Sequence, residues 1–270
     1  MQKDLEGKLE PAKAINNRRF TKEGVRMKLP KKIKNSPINE VLLEIRFKSA
    51  YPPSAVFGVI YPKIKEQFPE KPIPHPIMQL PEHIRLNDPA FRYAPYYKIS
   101  KKNLVLNIGP DIISLVNQKE YSGWKDFSSS FYKTFEKIID SQVIEDIHLV
   151  NLRYINVFQE NIFQNIKLRI LFGSDAIHNQ PIDLKTVFYK GDFENYIRIG
   201  NSFDIEINDQ IVKRSIFDIN CKRKIENTKS FLNNPSALIE QAHIEEKETF
   251  FKTLKPDYIK KLNPVYGGES

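Results

Sequence analysis

The stretch Ile38–Phe47, behind Pro37, is apolar and rich in β-favouring residues, and it predicts the first strand. A helix is expected over Ser54–Phe68, with Ser54 as its cap and Pro62 as a break unless a new turn begins there. Prolines 69, 72, 74, 76 and 81 then forbid a helix and predict an extended run over the surface or along a sheet edge. Short apolar runs at Phe91–Tyr93, Tyr96–Ser100, Leu104–Ile108 and Ile112–Val116 are separated by Lys101-Lys-Asn103 and Gly109-Pro-Asp111, which predicts an antiparallel meander. Ser122 is the expected cap of the clearest helix, where Trp124, Phe127, Phe131, Phe135 and Ile138 recur at spacings of three and four as one apolar stripe.

The same order returns further along. A long strand over Ile147–Phe158 leads to a helix near Asn161–Leu171, strands at Leu184–Tyr189, Tyr196–Ile199, Phe203–Ile207 and Ser215–Cys221, and a closing helix after Asn234-Pro235 with Ser236 nearby. The expected fold class is therefore α+β: two similar halves, each an antiparallel meander sheet packed by a long helix, in the order strand, helix, meander, helix. The halves span 35–142 and 143–264, preceded by a flexible basic arm at 1–34 and followed by a tail at 265–270.

Charge sharpens that division. The chain carries a formal +9, but the arm holds 11 Lys/Arg against 4 acids, so positions 35–270 are close to neutral. Met27 offers a second start, and the sequence leaves translation open between it and Met1. The lone Cys221 excludes an internal disulfide framework and a multi-cysteine metal site. Apolar runs fall far short of the roughly 20 residues that span a bilayer. A cytoplasmic protein without membrane contact is the expectation.

Four segments, Asn35–Phe47, Tyr121-Ser-Gly-Trp-Lys-Asp-Phe127, Leu152-Arg-Tyr-Ile-Asn156 and Asp218-Ile-Asn220 ahead of a terminal helix with His243 and Phe250, resemble a sporadically distributed family of uncharacterised bacterial proteins of about 250–270 residues. The family usually has a second acid where this chain has Asn220, which speaks against paired carboxylates there. The resemblance supplies no established activity, but its patchy distribution is similar to that of genes in defence or toxin–antitoxin clusters, an association that, with the near-neutral body and the missing catalytic motifs, points to a binding or regulatory protein with a protein partner.

Candidate chemistry is sparse. Phe91, Arg92, Tyr93, Tyr97, Lys98, Lys101 and Lys102 interleave aromatics with cations, a pattern that suits stacking on unpaired bases with phosphate contacts alongside. Asp204, Glu206 and Asp218 form a candidate acidic cluster of the kind metal-dependent nucleases need, although alternation is also what any half-exposed strand shows. Glu145-Asp-Ile-His148 and Glu240-Gln-Ala-His243 have the spacing of dinuclear metal ligands on helices, but the first falls on a predicted strand. No Gly-x-Ser-x-Gly, dinucleotide or phosphate-loop pattern occurs. The reading is a non-enzymatic binding protein with no catalytic residue, metal or cofactor. A protein is the expected partner, nucleic acid the alternative, and a homodimer is left open.

Overall fold

The computed structural model describes residues 29–118, 120–159, 161–207 and 210–267, and no side chain over 205–207. Nine antiparallel strands form one sheet: β1 (Ile38–Ser49), β2 (Ile73–Pro74), β3 (Tyr97–Lys101), β4 (Leu104–Gly109), β5 (Ile112–Gln118), β6 (Ile144–Phe158), β7 (Ile182–Lys190), β8 (Phe193–Ile207) and β9 (Gln210–Lys224), in the order β7-β8-β9-β6-β1-β5-β4-β3-β2. The meanders expected one to each half form a single sheet, joined where β1 pairs with β6. Three longer helices, α1 (Val56–Ile64), α2 (Trp124–Ile139) and α3 (Pro235–Thr253), accompany the sheet.

Alternation decides the faces. Val41, Leu43 and Ile45 of β1, Val150, Leu152 and Tyr154 of β6, and Phe217, Ile219 and Cys221 of β9 are buried on the helix side, together with Phe127, Phe131, Phe135 and Ile138 of α2. The α2 stripe therefore lies on the sheet as its spacing demands. On α3 the buried positions include Glu245 and Glu246, so its apolar periodicity is weak although one side is buried. The segment between β2 and β3 lies on the opposite face, where His75 Nε2 meets Asn107 Oδ1 at 3.1 Å and Tyr93 rests on Arg46.

Several local expectations are corrected. Ser122 caps nothing: Gly123, at φ +97°, precedes α2 and supplies a turn that a side chain would resist. Ala55, not Ser54, precedes α1, which runs through Pro62 and ends at Ile64. The proline stretch does reach the sheet edge, at Ile73–Pro74, but turns through a 3₁₀ helix over Pro76–Gln79, and the helix Glu82–Asn87 begins only after Pro81. Phe91–Tyr93 is no strand: Asp88 accepts from Ala90 N–H and Pro89 starts a 3₁₀ turn over Pro89–Phe91. Asn161 caps only Ile162–Asn165, after which the chain is tied to the end of α3 by Lys167 N–H and turns through the hairpin Ile170–Phe172/Asp175–Ile177. Tyr196–Ile199 and Phe203–Ile207 are one strand, interrupted only by a bulge between Gly200 and Phe203. The closing helix does begin at Pro235, with Asn234 as its cap, accepting from Ala237 N–H.

Of the basic arm, residues 1–28 lie outside the described residues. Lys32–Ile33 pairs with Pro264–Val265, so the arm's end and the start of the tail share a two-stranded ribbon. Among the described residues no helix is long and apolar enough to cross a membrane.

Candidate functional site

The aromatic and basic residues singled out from sequence are divided between the two faces of the sheet. Tyr97 stacks on Phe57 of α1 with ring centroids 4.0 Å apart, on the helix side. Lys98 alternates to the other face, where the Tyr93 ring meets Arg46 at 4.5 Å and Arg92 at 5.4 Å. Phe91 is half-buried in its 3₁₀ turn, while Lys101 and Lys102 are exposed at the β3–β4 turn. The structure brings Arg92 and Tyr93 together with Arg46, a partner the sequence did not suggest, and leaves Tyr97 apart.

The acids are spread out too. Asp218 is buried in β9 and its carboxylate is gripped by Arg153 of β6, with Nε at 2.9 Å and Nη2 at 2.7 Å. Asp204 lies toward the β8–β9 turn, beyond the bulge, paired with Lys213 at 2.9 Å. Glu206 is in β8, but its side chain lies outside the described part. The first Glu-x-x-His is engaged along β6, Glu145 with Lys48 and His148 with Asp146. Among the described residues no group of three or more His, Cys, Asp or Glu is placed to hold a metal ion.

The second Glu-x-x-His belongs to a buried polar cluster that sequence reasoning missed. Glu240 accepts a hydrogen bond from Trp124 Nε1 at 2.8 Å, and His243 stacks on that indole at 4.1 Å and 11°. His243 Nδ1 lies 3.2 Å from Tyr154 Oη, which is 3.1 Å from Tyr121 Oη. Burial, aided by nearby Lys247, pushes the imidazole down to about 3, so it is neutral. Neutral His243 can donate or accept at Nδ1, and its tautomer sets the direction of the His243–Tyr154–Tyr121 chain. Beside them burial raises Glu246 to about 8, against the pull of Lys247, so its carboxyl is largely protonated near neutrality. Burial also raises the Cys221 thiol, whose Sγ donates to Asn195 Oδ1 at 3.0 Å. A thiol held protonated and a histidine of such low basicity are poorly suited to nucleophilic or general-base chemistry near neutral pH; the cluster pins α3 and the start of α2 to β6.

The second unforeseen feature is an open cleft of about 880 Å³ at the end of the sheet, where the β7–β8 turn and the end of β9 meet the start of α3. Its walls carry both signs of charge, Asp192, Glu194 and Glu226 with Lys222, Arg223 and Lys224, and Leu149 and Phe231 supply apolar lining. Arg223 is committed to Asp192 at 2.9 Å and Gln241 at 3.2 Å, whereas Lys224 is exposed. Its signal was present in the run Lys222-Arg-Lys224 facing Asn234-Pro235, but only the fold brings those segments together. Neither a protein-family model nor a curated protein sequence matches this chain.

Proposed function

We propose that the protein is a non-catalytic binding protein whose partner is another protein. The observation that carries this reading is the cleft at the end of β7–β9. It has the size of a binding site and a lining of both charge signs suited to a polypeptide bearing both, but no nucleophile–base pair. The resemblance of Asn35–Phe47, Tyr121–Phe127, Leu152–Asn156 and Asp218–Asn220 to a sporadically distributed bacterial family supports placing it in a defence or toxin–antitoxin locus.

Two related halves fit the same proposal. Leu43-Glu-Ile-Arg-Phe47 and Val150-Asn-Leu-Arg-Tyr154 match in residue type at four of five positions, and the pairs Leu43–Leu152 and Ile45–Val150 exchange under a two-fold rotation that sets Glu44 against Asn151. The arginines at equivalent places are each tied to an acid, Arg46 to Glu44 and Arg153 to Asp218.

The test is capture of the products of neighbouring genes on the purified protein. The variant Lys224→Glu with Glu226→Lys, which inverts the exposed charges of the cleft, is expected to lose the partner by at least about 10-fold in affinity. A partner held equally by both proteins, or metal- or substrate-dependent turnover, contradicts the proposal. Nucleic-acid binding is the second reading, favoured by Arg46 and Arg92 beside the Tyr93 ring. Binding of single-stranded RNA that weakens with salt and falls on Tyr93→Ala would support it.

A further inference from the structure

The outer edge of β7 adjoins the cleft through Tyr189, and what it recognises follows from its backbone. Lys190 and Phe193 are partners across the two-residue turn Gly191-Asp192, with Gly191 at φ +56°. Such a turn closes on a hydrogen-bonded pair, so the even residues Ile182 to Lys190 address β8. The N–H and C=O groups of Asp183, Lys185, Val187 and Tyr189 therefore point away from the sheet, and no strand among the described residues pairs with them.

Sheet edges are commonly guarded by prolines, shortness or unpaired lysines. The far edge obeys this rule: β2 is two residues long and ends in Pro74. Over its nine residues β7 has no proline, and its two lysines are already compensated. Lys190 is held by Glu245 and, at 3.0 Å, by Glu248 of α3. Lys185 lies 3.8 Å from Asp183, which Arg198 also holds at 2.8 Å. Val187 is 46% and Tyr189 71% exposed, both on the face away from the helices.

We propose that β7 is a homodimerisation edge: two copies of the chain pair antiparallel about Thr186, joining their sheets into one. This register is the one that uses all four outward positions. Lys185 then pairs with Val187 of the second copy and Asp183 with Tyr189, eight backbone hydrogen bonds in all. On the helix side Leu184 faces Phe188 and Thr186 faces itself. On the other side Tyr189 is brought beside the carboxylate of Asp183. Centring on Lys185 would set lysine against lysine, and centring on Val187 would run Asp183 into the turn. An extended segment of an unrelated protein would use the same backbone groups but lacks this reason to match the side chains.

The experiment is sedimentation velocity on the full chain from low to high micromolar concentration, with three variants. The wild type is expected at twice the chain mass of 31.6 kDa. Val187→Pro removes an outward N–H that the monomer does not use, so it should fold with an unchanged circular dichroism spectrum and dimerise about 100-fold more weakly. Thr186→Cys places two thiols on the axis at a non-hydrogen-bonded pair, about 4.5 Å apart at Cα, and should oxidise to a covalent dimer, whereas Val187→Cys should not. A monomer at every concentration overturns the proposal. So does a dimer that survives Val187→Pro, or a folded Thr186→Cys protein that fails to cross-link. These outcomes need no partner protein, so they stand apart from those of the cleft experiment.

Discussion

His243 and Glu246 lie within one turn of α3 and have opposite consequences for pH. His243 is neutral in the fold, pushed down to about 3 from 6.5, so the unfolded chain binds its proton first and stability falls as the pH drops from 6.5 toward 3. Glu246 is raised to about 8 from 4.5, so its contribution is complete below 4.5 and is lost as the pH climbs through 8. Between 4.5 and 6.5 the two slopes cancel. From these two groups, urea unfolding should show a plateau there and a loss on the order of 1 kcal/mol per pH unit from 6.5 to 8. Glu246→Gln should flatten the alkaline limb and extend the acid one up to 6.5, and an unchanged alkaline limb would refute the assignment. The Arg153–Asp218 pair allows a second test at this scale. Arg153→Ala leaves Asp218 buried without its cation and should cost about 3 kcal/mol, whereas the double change with Asp218→Asn should recover much of that.

Among the elements, α2 is where sequence and structure agree most closely, because a stripe at Phe127, Phe131 and Phe135 needs no tertiary information to be read. Phe131→Ala is expected to cost about 3–5 kcal/mol by thermal or urea unfolding, the range for emptying a buried aromatic site. The helix start was misread because Ser122 has the right chemistry for a cap while Gly123 supplies the geometry. Gly123→Ala, placed at φ +97°, should cost about 1–2 kcal/mol, and a neutral result would mean that the turn readily changes shape. The 3₁₀ turn at Pro89 was also encoded locally, in Asp88-Pro89, but the apolar run Phe91–Tyr93 suggested a strand. The helix expected near Asn161–Leu171 begins there but stops at Asn165, and that end was not legible, because Ile166 and Lys167 are held by the end of α3, nearly ninety residues away.

For the whole molecule, the order of strands and helices was largely present in the alternation of β1, β4, β5, β6 and β9, but their union in one sheet was not. That union depends on the β1–β6 register, with its shifts at Ile38–Glu40 and Arg46–Phe47, and no local pattern announces such pairing. The candidate site was less legible still. The aromatic and basic residues at 91–102 alternate in sequence, and alternation itself puts Tyr97 and Lys98 on opposite faces. The cleft draws on β7–β9 and α3 at once, so its residues become neighbours only when the sheet is assembled. Hydrogen–deuterium exchange on the purified protein, with and without the partner that co-purifies from its native cell, tests the binding proposal most directly. Protection is predicted over 189–194 and 222–241, the segments around the cleft. Protection confined to 91–102, or none anywhere, would contradict it.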